Sequence, residues 1–328
     1  MQRKLPWRGL LAVCVVMLAT GTGPVVHAQD FPTRPVRMVV PVAAGGLRDV
    51  IARAMATDFQ KSTGEALVVD NRSGGGGLIA GEIVAKAGAD GYTLFMASGA
   101  EISIAPALHA KLPYDAANDF VPITRLIDTP MLLFAAASLP VQNVKELIAL
   151  ARFKPGAIVF GSAGPGSVSH LAQELFAQRA GVTFIHVPYR GAALALSDMA
   201  GGRVSLLFTT VTSAKPLLDA GRIRALGVAA AKRTSGLSAV PTIEEAGVPG
   251  VDAPVWVGVM APKGTSPRIV SRLDGEFRKI LANADFSRMM AARDAEISGD
   301  GPAAFGRIVR EDIQRWARVV SSAKIRLE

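Results

Sequence analysis

The sequence predicts an α/β protein made of two similar lobes, and three observations predict it. Short β-rich runs alternate with helical patterns through the whole chain after its first 28 residues. A unit of strand, glycine-rich loop and helix occurs at 36–55 and again at 158–178. A chain of this length also normally divides into two domains.

The first unit is the most informative stretch. Val36, Arg37, Met38, Val39 and Val40 read as a buried strand that Pro41 stops. After Gly45 and Gly46, the residues Leu47, Val50, Ile51, Ala54 and Met55 recur at helical spacing on one face. Such a turn leaves backbone N–H groups unpaired at the helix start, and the positive end of the helix dipole favours an anion there. The same residues also suit an ordinary tight turn whose glycines only save space.

The remaining elements follow in order. Residues 66–69 are a strand ending in Asp70-Asn71-Arg72-Ser73, followed by Gly74 to Gly77 and a helix over 79–86. Residues 92–97 form the next strand, stopping at Ser98-Gly99; an irregular loop over 112–120 precedes a strand at 121–127. The apolar run 131–137, between Pro130 and Pro140, is another strand. Asn143 caps a helix over 144–153 that Pro155-Gly156 ends.

The second unit then repeats the first design. Strand 158–160 runs into a loop with Gly161, Ser162, Gly164, Gly166 and Ser167, and a helix over 168–178 is closed by Gly181. Strands at 184–187, 203–208 and 222–228 lead to a proline-started helix at 241–245. The strand 256–260 and helices over 266–281 and 302–320 complete the chain. Ligands of open α/β sheets bind beyond the carboxyl ends of the strands, so two such lobes facing each other make a clamp.

The amino terminus reads as an export signal. Arg3, Lys4 and Arg8 precede ten apolar residues, too few for the roughly twenty that span a bilayer, and Val26-His27-Ala28 offers a cleavage site. A lipoprotein anchor at Cys14 is the competing reading, disfavoured because Cys14 lies inside the apolar run. Cleavage after Ala28 removes 28 of 328 residues, leaving 300 without cysteine, and lowers the formal charge from +9 to +6. Stability must then come from the core rather than from disulfides. Scattered basic residues and only 6% aromatics form neither a basic stripe nor a stacking platform, and export argues further against nucleic acid.

Motifs for chemistry are thin. Gly75-Gly76-Gly77-Leu78-Ile79-Ala80 fits a dinucleotide fingerprint, but Phe95-Met96 stand where its acidic residue belongs. Ser73, Ser98, Ser162 and Ser167 each lack a flanking glycine of G-x-S-x-G. His109, His170 and His186 show no metal-ligand spacing. His170, in the first turn of its helix, either reaches a ligand or, as more histidines do, bonds the loop backbone beside it. Asp49 and Asn71 read as loop organisers. Hydroxyls just past strand ends, at Ser98, Ser162, Ser167, Thr209 and Thr210, suit carboxylate recognition by neutral donors. The inventory fits binding and calls for no cofactor.

A set of spaced motifs gives the chain a family resemblance. These are Pro41 to Gly46 with Asp49, Asp70-Asn71-Arg72 with Gly74 to Gly77, Asp90-Gly91-Tyr92-Thr93-Leu94 and Leu112-Pro113-Tyr114-Asp115. Gly161-Ser162 with Gly164, Gly166 and His170-Leu171-Ala172 follow, then His186-Val187-Pro188-Tyr189-Arg190-Gly191. Ala220-Gly221-Arg222-Ile223-Arg224-Ala225-Leu226 and Val240-Pro241-Thr242 with Glu245-Ala246-Gly247 complete the set. Together they resemble the Bug-type extracytoplasmic solute receptors, the substrate-binding proteins of tripartite tricarboxylate transporters.

The resemblance implies a periplasmic-binding-protein clamp of two lobes, each a mixed β-sheet flanked by helices. Its expected division is 29–128 plus 253–328 for the first lobe and 129–252 for the second. It implies a carboxylate held by backbone groups and bridging waters, which places Val42, Ala43, Gly46 and Asp49 in one half-site and Ser162, Gly166 and Ser167 in the other. Ser98, Thr209 and Arg48 join them as candidate contacts. The implied partners are a small carboxylate (a di- or tricarboxylate or a related organic or amino acid) and transporter membrane components or a sensor protein. The receptor is expected to be monomeric.

The chain departs from the family pattern in three places. Its first loop reads Val42-Ala43-Ala44, Arg48 replaces a small polar residue before Asp49, and Ser205 and Thr209 stand where many members carry aspartates. Arg48 either points to solvent or reaches into the cleft to pair with a second anionic group on the ligand. An enzyme acting on a carboxylate ester or amide on the same scaffold is the alternative function.

Overall fold

The computed structural model describes residues 31–189 and 191–323, so the export signal, Cys14, the Ala28 cleavage site and Arg190 lie outside the described residues. In order, the elements are β1 (Val36–Val40), α1 (Leu47–Thr63), β2 (Leu67–Asn71), a 3-10 turn (Gly75–Gly77) and α2 (Leu78–Ala85). Next come β3 (Thr93–Ser98), a π-helical turn (Ala100–Ile104), α3 (Ala105–Leu108), β4 (Phe120–Thr129), β5 (Met131–Ala136) and α4 (Val144–Phe153). Then follow β6 (Val159–Ser162), α5 (Val168–Ala180), β7 (Ile185–Pro188), α6 (Ala192–Ala200), β8 (Leu206–Thr209), α7 (Val211–Asp219) and β9 (Ile223–Ala229). The last are β10 (Val255–Pro262), α8 (Pro267–Leu281), α9 (Ala284–Ala291), β11 (Glu296–Asp300) and α10 (Pro302–Ala323).

Two sheets flanked by helices result. The first runs β11-β4-β10-β3-β1-β2 and the second β7-β6-β8-β5-β9. In the first, β1 pairs in parallel with β2 on one side and β3 on the other, while β10 lies antiparallel between β3 and β4 and β11 adds an antiparallel edge to β4. The second sheet repeats the plan: β6 lies parallel between β7 and β8, and β5 runs antiparallel to β8 and β9. In both, the winding reverses at the first strand of the unit, which opens a crevice at its carboxyl end. Only Pro130 separates β4 of one sheet from β5 of the other.

Apolar stripes hold helices to the sheets. On α8, Val270, Leu273, Phe277, Ile280 and Leu281 fall on one buried face, Ser266 caps the start, and Pro267 occupies the first turn, where no N–H is missed. Phe277 stacks on Phe59 of α1 with ring centroids 5.9 Å apart. On the opposite face Trp256 meets Phe305 of α10 edge-on at 5.2 Å. In the second sheet Phe160 lies between Phe184, at 5.3 Å, and Phe208, at 5.6 Å. Each such fully buried side chain contributes about 1.5–3 kcal/mol.

Residues 241–245 do not form the expected helix. Thr242 and Glu245 do make the reciprocal bonds of a helix start, at 2.8 and 3.0 Å, but Gly247 turns left-handed at φ 96 and stops the chain after one turn. Several elements carried too weak a pattern to be read from sequence: the turn and helix over 100–108, α6, α7, α9 and β11. The 100–108 segment and α6 are rich in alanine, and α7, α9 and β11 are too short for their few apolar positions to stand out.

Candidate functional site

The carboxyl ends of the parallel strands bring the glycine loops together. The loop after β1 is braced from behind. Asp49 accepts the Gly45 N–H at 2.9 Å and Arg53 Nε at 3.0 Å; Asn71, ending β2, donates to the Val42 carbonyl at 3.0 Å and accepts from Arg53 at 3.1 Å. Arg53 first and the Gly45 N–H second hold the Asp49 carboxyl down to about 2. Asp49 and Asn71 are thus loop organisers. The N–H groups of Ala43 and Ala44 find no acceptor among the described residues, and no side chain caps α1. Donors and a positive helix end therefore stand free at an exposed loop.

Arg48 does not point to solvent. Its Nη1 donates to Glu101 at 2.8 Å and to Ser98 Oγ at 3.2 Å, its side chain is 16% exposed, and that of Glu101 is 1% exposed. The Glu101 carboxylate also accepts the Ser98 N–H at 3.0 Å and Oγ at 2.7 Å. Glu101 offsets the unfavourable placing of a cation at a helix start. It also packs under the glycine loop, where any side chain on Gly77 would collide with it. Sequence reasoning missed Glu101, whose single carboxylate in an Ala/Ile/Ser run carries no pattern.

The loop after β6 is held by two histidines. Ser162 Oγ lies 2.7 Å from His186 Nε2 and accepts the Gly164 N–H at 3.2 Å. Ser167 caps α5, accepting the His170 N–H at 3.2 Å while its hydroxyl donates to the Gly164 carbonyl at 2.7 Å. The Gly166 N–H donates to His170 Nδ1 at 3.1 Å, so that nitrogen carries no proton and His170 bonds the loop backbone. The two imidazoles stack at 4.0 Å. Burial and the neighbouring His186 hold His170 down to about 4, and burial lowers His186.

A cavity of about 370 Å³ lies between the loop after β2 and the loop after β6. Gly75, Gly76 and Leu78 line it from the loop after β2, and Ala163, Pro165, Gly166 and Ser167 from the loop after β6. Ala100, Ile104, Ala105, Leu108 and His109 form its remaining wall. Of the nominated residues, Gly166 and Ser167 line the cavity. Val42, Ala43 and Gly46 belong to the separate loop after β1. Asp49, Ser98, Ser162 and Thr209 are buried and, with Arg48, are not among the lining residues. The wall over 100–109 went unnoticed in the sequence because its Ala, Ile and Leu look like core.

The arrangement can bind but offers little for chemistry. Ser162 and His186 have the spacing of a serine–histidine pair, yet Ser162 is fully buried and does not line the cavity. Among the described residues no group of three or more His, Cys, Asp or Glu is placed to hold a metal ion. No helix among them is long and apolar enough to cross a membrane.

Comparisons with known proteins bear on the family and the fold. The model of the tripartite tricarboxylate transporter family receptor matches residues 51–325. The chain is 35% identical over 321 residues to protein BugT of Bordetella pertussis, covering 97% of this chain and 98% of that one. It is similar to the solved structure of R. palustris Rpa4515 with adipate, at a TM-score of 0.81 and 40% identity, covering 91% of this chain and 100% of the other. MatC (Rpa3494) from Rhodopseudomonas palustris with bound malate is similar at a TM-score of 0.76 and 32% identity, covering 88% and 100%.

Proposed function

This chain belongs to the tripartite tricarboxylate transporter receptor family, and from that premise we propose how its cleft holds the ligand. The protein is a periplasmic solute receptor for a small carboxylate; the family is one of receptors, which sets aside the ester- or amide-cleaving alternative. The carboxylate sits between the loop after β1 and the loop after β6. It takes the free N–H groups around Ala43, with Val42 and Gly46, on one side and, beside Gly166 and Ser167, the N–H groups at the start of α5 on the other. Asp49 and Ser162 set the loops, with Ser98 and Thr209 at neighbouring strand ends. Arg48 acts through Glu101 rather than on the ligand. Residues up to 128 together with 253 onward move as one lobe, and 129–252 as the other. The mature chain, cut after Ala28, works as a monomer that hands its ligand to transporter membrane components.

The observation carrying this reading is that two sheets repeating one plan each end a parallel strand in a glycine loop at a helix start, the second of these loops lining a cavity. A folded receptor gains RT ln(1 + [L]/Kd), about 2.7 kcal/mol at a hundredfold excess over Kd. A thermal-shift panel of carboxylates on ligand-stripped mature protein is expected to raise Tm, with the ligand recovered unchanged. A rise with sugars or cationic peptides and with no carboxylate would overturn the ligand class.

A further inference from the structure

Asp294 is the one residue other than glycine with a left-handed backbone among the described residues, at φ 52. It stands in the turn between α9 and β11, and its side chain is buried. Its Oδ1 accepts Thr234 Oγ1 at 2.5 Å and the Gly236 N–H at 3.1 Å, both from the connection that leaves β9. Thr212, at the start of α7, adds a bond to the Arg293 carbonyl. Phe286, Met290 and Ala295 pack in the core of the first sheet, while Val211, Ala214 and Leu237 pack in that of the second, so these bonds join the two halves of the molecule.

The sheet orders place this contact. β11 begins opposite Asp128, near the end of β4, and β9 ends level with β8, Val228 and Thr209 both facing Leu132. The contact thus lies on the edges that also carry the glycine loops. The chain crosses from β4 to β5 and returns past the end of β9 into β10, where the Ala253 N–H meets the Ala229 carbonyl at 3.0 Å. β11 lies on one flank of those crossing strands; β3, β1 and β2, with β8, β6 and β7, lie on the other. No backbone hydrogen bond joins the loops after β1 and β2 to the loop after β6 among the described residues, and Ala43 and Ala44 are exposed. The molecule is tied on one flank of its crossing and open on the other. Two bodies that pivot at a crossing close on one flank by parting on the other.

We propose that Asp294 is a positioning residue for ligand binding: its contact holds the open form, parts when the loops close on a carboxylate, and so sets affinity from outside the site. The contact is suited to being given up. Asp294 Oδ2 is buried without a hydrogen-bond partner among the described residues, a cost that the carboxylate sheds on meeting water. The proposal rests on the receptor reading above, with its two lobes.

Calorimetry on the ligand-stripped chain from residue 29 onward tests it. Thr234→Val removes a donor, and Gly236→Ala sets a methyl against the Asp294 carboxylate. The probe is adipate or, where adipate gives the parent no thermal shift, the carboxylate of the panel that gives the largest. Each variant is expected to melt earlier than the parent when ligand-free, yet to bind the probe about fivefold tighter, because less of the open form's stability has to be given up. Lower stability with an unchanged or weaker affinity would overturn the proposal. Spin labels on Lys215→Cys and Arg288→Cys, in a chain whose only cysteine lies before residue 29, read the contact directly. Saturating probe is expected to lengthen their separation in the otherwise unaltered protein; an unchanged or shorter distance would overturn the proposal. A parent that no carboxylate shifts would sink the receptor reading instead.

Discussion

Arg48 and Glu101, 53 residues apart in sequence, form an ion pair at 2.8 Å that ties the start of α1 to the turn after β3. The pair spans the point where the first sheet reverses its winding, so two ligand-side loops share one electrostatic bolt. Removing one partner leaves the other charge buried. Arg48→Met is expected to lower unfolding free energy by about 3 kcal/mol, and Arg48→Met with Glu101→Leu to recover much of it. Urea unfolding of the two single variants and the double checks this. Additive losses would mean that the pair contributes no coupling.

Stability should depend on pH through His170. Its folded pKa, about 4, lies below the ordinary value of 6.5, so the unfolded chain binds the extra proton. This contribution is complete above about pH 6.5 and is lost as pH falls toward 4, with His186 acting in the same direction. Protonated Nδ1 also cannot accept the Gly166 N–H, but the folded imidazole takes up its proton only near pH 4, so carboxylate affinity is expected to hold to about pH 5 and to fall toward pH 4. Urea midpoints between pH 7.5 and 4.5 and binding constants down to about pH 4 would show it, and His170→Asn should flatten both curves; the stability slope begins near pH 6.5.

Two glycines of similar backbone should differ in their response to alanine. Gly45, at φ 87, has open space around the missing side chain, so Gly45→Ala bears only left-handed strain of about 1 kcal/mol. Gly77, at φ 95, abuts Glu101, and Gly77→Ala is expected to lose about 3 kcal/mol or more and to disturb the Arg48 pair. Equal losses in thermal denaturation would contradict the contact.

Helix caps separate stability from binding. Ser167 caps α5 at the cavity, and Asn143 caps α4 through the Glu146 N–H at 2.9 Å. Each change to alanine is expected to cost about 1 kcal/mol of stability. Only Ser167→Ala should weaken carboxylate binding, because its hydroxyl also holds the Gly164 carbonyl at 2.7 Å. Matched melting and titration experiments on both variants test the contrast.

Much of the fold was legible because strong local signals agreed. Asn143 and Ser266 cap the expected helices, and the glycine loops at 45–46 and 164–166 do follow strands. The partnerships that shape the site were not legible. Nothing local to Arg48 announces Glu101, and nothing local to Ser162 announces His186, because each pair forms only when separate strands bring their ends to one edge. The 100–109 wall was hidden for a different reason: an apolar ligand surface and an apolar core look alike in sequence.

That likeness bears on how the receptor can change its diet over evolutionary time. Ile104 and Leu108 serve the cavity and the core cluster at once, so a substitution that reshapes the pocket there also loosens the molecule. His109, Gly76 and Pro165 line the same cavity without belonging to that cluster. Descendants with new ligands are expected to differ first at these rim positions, while the wall behind them drifts slowly.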